Sequence, residues 1–227
     1  MLTTLKNAFK IKEIRQKLFF TFLMMVVIRI GSQLPVPGVN GAYFRSFFEQ
    51  NAGGALGFFD AITGGSFASM SLLALGINPY ITSSIIMQLL TIAIPKLEEM
   101  QKDGEDGRKK IAAITRYVTV ALALIQGTAM SVGFGRQGLL VNYNAMSIIT
   151  AVAAMTAGSA FLMWIGERIT EKGVGNGISI VLVINIISRL PEDLKKLFEQ
   201  FVKGKPFATQ ALAVVIILAI IIAMVVM

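Results

Sequence analysis

The sequence predicts an all-α, polytopic membrane protein of about six transmembrane helices plus one re-entrant half-helix. Composition is the first reason. Of 227 residues, 55% are apolar and 15% charged, and the mean hydropathy is +0.70. A soluble domain carries about 25% charged residues, so this chain has too few to cover a water-facing surface. Disorder is excluded by the same numbers, because it needs low hydrophobicity and high net charge. The second reason is the length of the apolar runs. The hydrocarbon core of a bilayer is roughly 30 Å thick and a helix rises about 1.5 Å per residue, so a span needs about 20 mostly apolar residues. Residues 18–34, 72–94, 111–132, 145–165 and 207–227 qualify, and a shorter sixth run, 173–190, carries no charge up to Ser188. These runs are continuous, unlike the ten-residue alternations of a β-barrel. Third, there is no Cys and no His. That removes disulfides, thiol nucleophiles, the usual zinc sites and His-based acid–base schemes.

The first span follows Lys6, Lys10, Lys12, Arg15 and Lys17. A basic start before a short apolar run also describes a signal peptide, but no small-x-small cleavage site follows, and Pro35-Val36-Pro37-Gly38 stops the helix instead. We therefore read a retained helix with a cytoplasmic start. Arg29 lies near its far end. A centred arginine costs about 2.5–3.5 kcal/mol on insertion scales, so its side chain is expected to snorkel to the interface, with a pore or assembly contact as the alternative.

The stretch 53–76 is apolar enough to enter a membrane, yet it holds Gly53, Gly54, Gly57, Gly64, Gly65 and Asp60. Glycine weakens helices and Asp60 opposes full insertion. If this stretch does not span, 13 basic residues fall on one side against 7 on the other, Arg29 aside; if it does, the split is 11 against 9. The positive-inside rule favours the first arrangement, although the five basic residues in 189–205 fit that rule poorly. Residues 53–69 therefore read as a short half-helix that enters and returns. Such backbone is tolerated only inside protein or beside a water-filled cavity. Pro79 is expected to kink the second span just beyond it. Ionisable residues inside spans are nearly absent, which argues against a proton-coupled pump. The net charge of +8 fits cytoplasmic loops and needs no nucleic-acid partner.

Three motifs have bland readings beside sharper ones. Gly173-Val174-Gly175-Asn176-Gly177 contains G-x-G-x-G, but an apolar span precedes it where a nucleotide fold needs a strand; it reads as a tight cytoplasmic turn. Residues 96–110 hold five basic and five acidic side chains and read as a solvated loop, with docking of a cytosolic partner as the sharper option. Ile77 and Ile81 share one helix face, as do Leu182 and Ile186; most such pairs face lipid or a neighbouring helix.

Together these segments resemble one family. The runs are Pro35-Val36-Pro37-Gly38; Gly76-Ile77-Asn78-Pro79-Tyr80-Ile81 with its continuation Thr82-Ser83-Ser84-Ile85-Ile86-Met87-Gln88-Leu89-Leu90; Gly104-Glu105-Asp106-Gly107-Arg108-Lys109-Lys110; Thr115-Arg116-Tyr117; and Gly173-Val174-Gly175-Asn176-Gly177-Ile178-Ser179. In this order and spacing they look like the SecY family, the central subunits of the Sec protein-conducting channel. The resemblance implies a pseudo-symmetric ten-span fold, of which this chain carries the amino-terminal five-span half (residues 1–190), an external joining loop (191–206) and the sixth span (207–227). It implies a plug formed by Ala55, Leu56, Gly57, Phe58, Phe59, Asp60, Ala61, Ile62, Thr63, Gly64, Gly65 and Ser66. It implies a pore ring that includes Ile77, Ile81, Leu182 and Ile186, with Leu182 departing from a pure isoleucine ring. It places Thr82, Ile85, Gln88 and Gln126 on a lateral gate.

The implied partners are SecE and SecG subunits, a SecA ATPase, the ribosome, signal peptides and nascent chains, and the lipid bilayer. No cofactor, enzymatic activity or direct nucleic-acid recognition is implied. The implied location is the bacterial cytoplasmic (inner) membrane, with a cytoplasmic amino terminus. An apolar ring dewets when empty and so blocks ions. A half of a secondary transporter and a purely structural membrane subunit stay open as alternatives.

Overall fold

Proline, glycine and a few capping side chains decide where each helix starts and stops. The computed structural model describes residues 11–51 and 55–201. In chain order they form α1 (Lys12–Gly31), α2 (Gly41–Asn51), α3 (Ala55–Thr63), α4 (Asn78–Ala93), α5 (Pro95–Lys102), α6 (Glu105–Phe134), a π turn (Gly135–Leu139), α7 (Ala145–Lys172) and α8 (Gly177–Phe201). Among the described residues there is no strand beyond two isolated bridges, Pro35 with Ser71 and Val39 with Leu140. The expected sixth span, 207–227, lies outside the described residues, as do Lys6, Lys10, Gly53 and Gly54.

α1 ends at Gly31, before the proline pair. The Ser32 hydroxyl donates to the Arg29 carbonyl at 2.7 Å, and the Ser32 N–H to the Ile28 carbonyl at 2.9 Å. The proline-rich segment then pairs as an extended rung. Val36 N–H donates to the Met70 carbonyl at 3.0 Å, Leu72 N–H to the Leu34 carbonyl at 2.8 Å, and Asn40 N–H to the Leu139 carbonyl at 2.7 Å. Pro35 and Pro37 lack the amide protons a helix would need, and this pairing uses the amides beside them.

The second span corrects the sequence reading. Its helix starts at Asn78, and residues 64–77 are a buried chain of turns. Gly64, Gly65 and Gly76 take φ of +69°, +83° and +61°, a region that side chains disfavour and that ends any helix. Pro79 therefore sits in the first turn of α4, where its missing N–H is harmless, and kinks nothing. The charged stretch 96–110 is not a loop. It forms α5, bent 102° from α4, and the first turn of α6.

Among the described residues, two helices, Glu105–Leu139 and Ala145–Lys172, are long and apolar enough to span, and a third counts if the bent α4–α5 pair is one span. α1 and α8 fall short because their uncharged stretches, closed by Arg29 and Arg189, reach under about 20 Å of helix. The chain divides into one unit to Ile186 and a second from Ile187. The described part of the second is the remainder of α8, which continues through Pro191.

Within the first unit, α6 packs on α7, α4 on α6, and α1 on α7. One core gathers Phe44, Phe67, Met70, Leu75, Leu139 and Met155. Phe67 meets Phe44, Phe48 and Phe59 edge-on at 5.5, 5.9 and 5.1 Å between centroids, each pair adding about 0.5–1.5 kcal/mol beyond area burial. The second core gathers Ile28, Leu73, Ile77, Leu162, Ile165, Ile169 and Val181.

Candidate functional site

The second core brings α1, α4, α7 and α8 to one place. Ile77 caps the start of α4 and is 2% exposed. Ile81 donates its N–H to the Ile77 carbonyl at 3.1 Å and packs against the same cluster, as does Leu182 from α8. Ile186 is 47% exposed and stands outside that cluster. Three of the four expected ring residues thus meet in one apolar region.

Local chemistry sets both helix starts. At α4, the Ser159 hydroxyl donates to the Gly76 carbonyl at 3.2 Å, tying the entry turn to α7. At α8, the Asn176 side-chain oxygen accepts the N–H groups of Ile178 and Ser179 at 3.0 and 3.3 Å, an N-terminal cap. The Gly177 N–H donates to the Thr170 hydroxyl at 2.9 Å. A Cβ on Gly177 would overlap the Gly166 carbonyl oxygen, so α7 and α8 touch backbone to backbone here. The glycine-rich motif is the tight interhelical turn expected of it, and Val174 N–H docks it on the Thr21 hydroxyl of α1 at 3.1 Å.

The expected half-helix is α3, which ends at Thr63, with Gly64, Gly65 and Ser66 in the turn after it. Leu56 and Phe59 pack against the aromatic core, and Phe58 is 71% exposed. Asp60 is fully buried. Its carboxylate accepts the Ala68 N–H at 2.8 Å, and its carbonyl accepts the Gly65 N–H and the Thr63 hydroxyl, both at 3.1 Å. A Cβ on Gly64 would lie 2.9 Å from the Asn185 carbonyl oxygen. Asn185 sits between Leu182 and Ile186 in α8, so the end of α3 abuts the expected ring. Arg29 corrects the snorkelling expectation: its Nη1 donates to the Gly64 carbonyl at 3.5 Å.

The positions expected at a gate lie on the exposed face of α4 and on α6. Thr82, Ile85 and Gln88 are exposed, and Leu89 and Ile92 extend the same bare surface. Gln126 on α6 is partly buried, and its Oε1 is buried without a hydrogen-bond partner among the described residues. The opposite face of α4 carries a contact that sequence reading missed. The Ser83 and Thr119 hydroxyls lie 2.6 Å apart, and Ser83 also donates to the Thr115 carbonyl at 3.1 Å. The spacing of small polar residues, Ser83 in α4 with Thr115 and Thr119 in α6, was the available signal. Arg116 and Glu167 form a further α6–α7 tie at 2.8 Å.

A family model described as SecY matches residues 71–227. The protein translocase subunit SecY of Pseudomonas aeruginosa is 46% identical over 194 residues, covering 86% of this chain and 44% of the relative. That of Bacillus licheniformis is 43% identical, covering 100% of this chain and 53% of the relative. The chain spans about half the length of the curated relatives it matches. Among solved structures it is similar to a protein conducting channel, with a TM-score of 0.54 and 18% identity over 89% of this chain and 41% of the other. Sec61 in the canine ribosome–channel complex from the endoplasmic reticulum matches with the same values. At that identity the likeness is one of fold.

Proposed function

Because this chain belongs to the SecY family, we propose that it supplies pore, plug and gate elements of a Sec protein-conducting channel. The channel passes unfolded secretory polypeptides across the bacterial cytoplasmic membrane and releases transmembrane segments sideways into lipid. The carrying observation is the contact of the α3 end, at Gly64, with α8 at Asn185, beside the cluster on which Ile77, Ile81 and Leu182 converge. A plug needs that proximity to a ring.

In this reading Ile77, Ile81, Leu182 and Ile186 line a constriction that excludes water when empty. Branched apolar side chains shift around a passing chain of any sequence, because no hydrogen bond has to be matched. α3 and its turn, residues 55–66, block the resting pore. Thr82, Ile85, Gln88 and Gln126 face the gate. Polar side chains such as Thr82 and Gln88, exposed on α4, can hydrogen-bond across it. Such bonds in a membrane average about 0.6 kcal/mol, weak enough for an arriving signal peptide to replace.

The Ser83–Thr119 contact holds α4 on α6 so that the gate face stays outward. SecE and SecG complete the membrane assembly, a SecA ATPase or a translating ribosome drives transport, and the amino terminus is cytoplasmic. The work is mechanical, with no cofactor and no bond chemistry. The secondary-transporter alternative gains no support from relatives named translocase subunits.

A photo-crosslinker at Ile85 in the complete channel tests the gate. It is expected to capture the signal peptide of a stalled secretory chain, while one at Ile149, exposed on α7, does not. Equal capture at both positions contradicts the assignment.

A further inference from the structure

Two ionisable residues sit where a membrane protein seldom carries them. Arg29 lies in the last turn of α1, where it closes the apolar stretch, and Asp60 is fully buried in α3. An ionisable group at such a position is expensive and marks function more often than packing. Both reach one turn. Arg29 donates to the Gly64 carbonyl at 3.5 Å, and the Asp60 carboxylate accepts the Ala68 N–H at 2.8 Å, four residues along the same series of turns, while the Asp60 backbone carbonyl holds the Gly65 N–H at 3.1 Å. The turn is also closed from two other sides. Asn185 backbone lies against Gly64, and the Thr63 side chain lies 3.0 Å from where a Cβ on Gly76 would be. The carboxyl end of α3 is thus gripped by α1, by α8 and by the entry to α4, while Leu56 and Phe59 pack on the aromatic core.

We propose that Arg29 is a positioning residue for the plug: it latches the Gly64 carbonyl to α1, with buried Asp60 supplying the opposite charge at the same turn. This rests on the plug reading above. A guanidinium in low dielectric needs acceptors for its N–H groups and an opposite charge nearby; the Gly64 carbonyl is one such acceptor, and buried Asp60 is the acidic residue of the same α3 end. Asn185 lies in the same helix as Leu182 and Ile186, so a displacement of α8 that widens the ring also withdraws the surface that backs Gly64. The latch therefore links ring opening to plug release.

The test compares ion leak of the complete resting channel in liposomes with its transport of a secretory protein. Deletion of residues 55–66 should raise leak. Arg29→Met is expected to raise leak roughly tenfold or more while transport persists. Asp60→Leu should act alike, and the double variant should leak no more than the worse single one, because the two residues act as a unit. Should Arg29→Met fail to assemble, Gly64→Ala keeps both charges, places a methyl group on the Asn185 carbonyl and is expected to raise leak as well. If deletion raises leak but Arg29→Met and Gly64→Ala leave it at the parent level, the latch is overturned and the plug reading stands. If deletion itself leaves leak unchanged, the plug reading falls and the latch with it.

Discussion

Ser83 and Gly158 hold the same bundle by different physics. The Ser83 hydroxyl lies 2.6 Å from that of Thr119 and 3.1 Å from the Thr115 carbonyl, and Thr119 keeps its own bond to that carbonyl at 2.7 Å without it. Ser83→Ala should therefore lower unfolding stability in detergent by only about 0.6 kcal/mol. Gly158 lets α7 press against the Leu72 carbonyl, and any Cβ there overlaps that oxygen. Overpacking of this kind costs about 1–3 kcal/mol, so Gly158→Ala should be the more damaging of the two. Denaturant titration of both variants checks the order; a larger loss for Ser83→Ala would contradict it. Arg29 shows why such contacts escape a sequence reading. Its spacing within α1 is equally compatible with snorkelling and with a protein contact, and only the return of the chain at Gly64 separates them.

At the scale of elements, the long apolar runs were legible. The cores of α6 and α7 coincide with runs 111–132 and 145–165, and the glycine turn before α8 lies where its motif placed it. The second span, expected from residue 72, starts as a helix only at Asn78, because residues 72–77 are apolar enough for a helix that their backbone does not form. What breaks the helix is positive φ at Gly64, Gly65, Met70 and Gly76, and hydropathy does not report backbone angles. The charged stretch after α4 was misread for the converse reason. α5 and the start of α6 are polar almost all round, and they are held as helices by pairs such as Lys102–Glu98 at 2.6 Å and by close packing at Gly107, where a Cβ would overlap the Met100 carbonyl oxygen. Gly107→Val should force this elbow apart. Trypsin is then expected to cut after Lys102, next to the Asp103–Gly104 turn, several-fold faster than in the parent chain; unchanged cleavage would show that the elbow does not depend on that contact.

At the scale of the molecule, one arrangement joins the separate observations. The chain reaches the start of α4 through a buried series of turns, so α3 ends against α8 beside Leu182, and α4 keeps one face on α6 and the other bare. The family resemblance in the sequence pointed to the residues concerned. It could not show that Ile77 is buried while Ile186 is exposed, because that depends on how α4 and α8 are rotated about their axes. The chain spans about half the length of the curated relatives it matches, so the measurement that decides the proposed function belongs in a complete channel. A secretory chain stalled in transit should crosslink to probes at Ile81 and Ile186 and not to probes at Ile125 and Ile149, exposed positions on α6 and α7. Uniform labelling of all four positions would contradict a pore ring built from these residues.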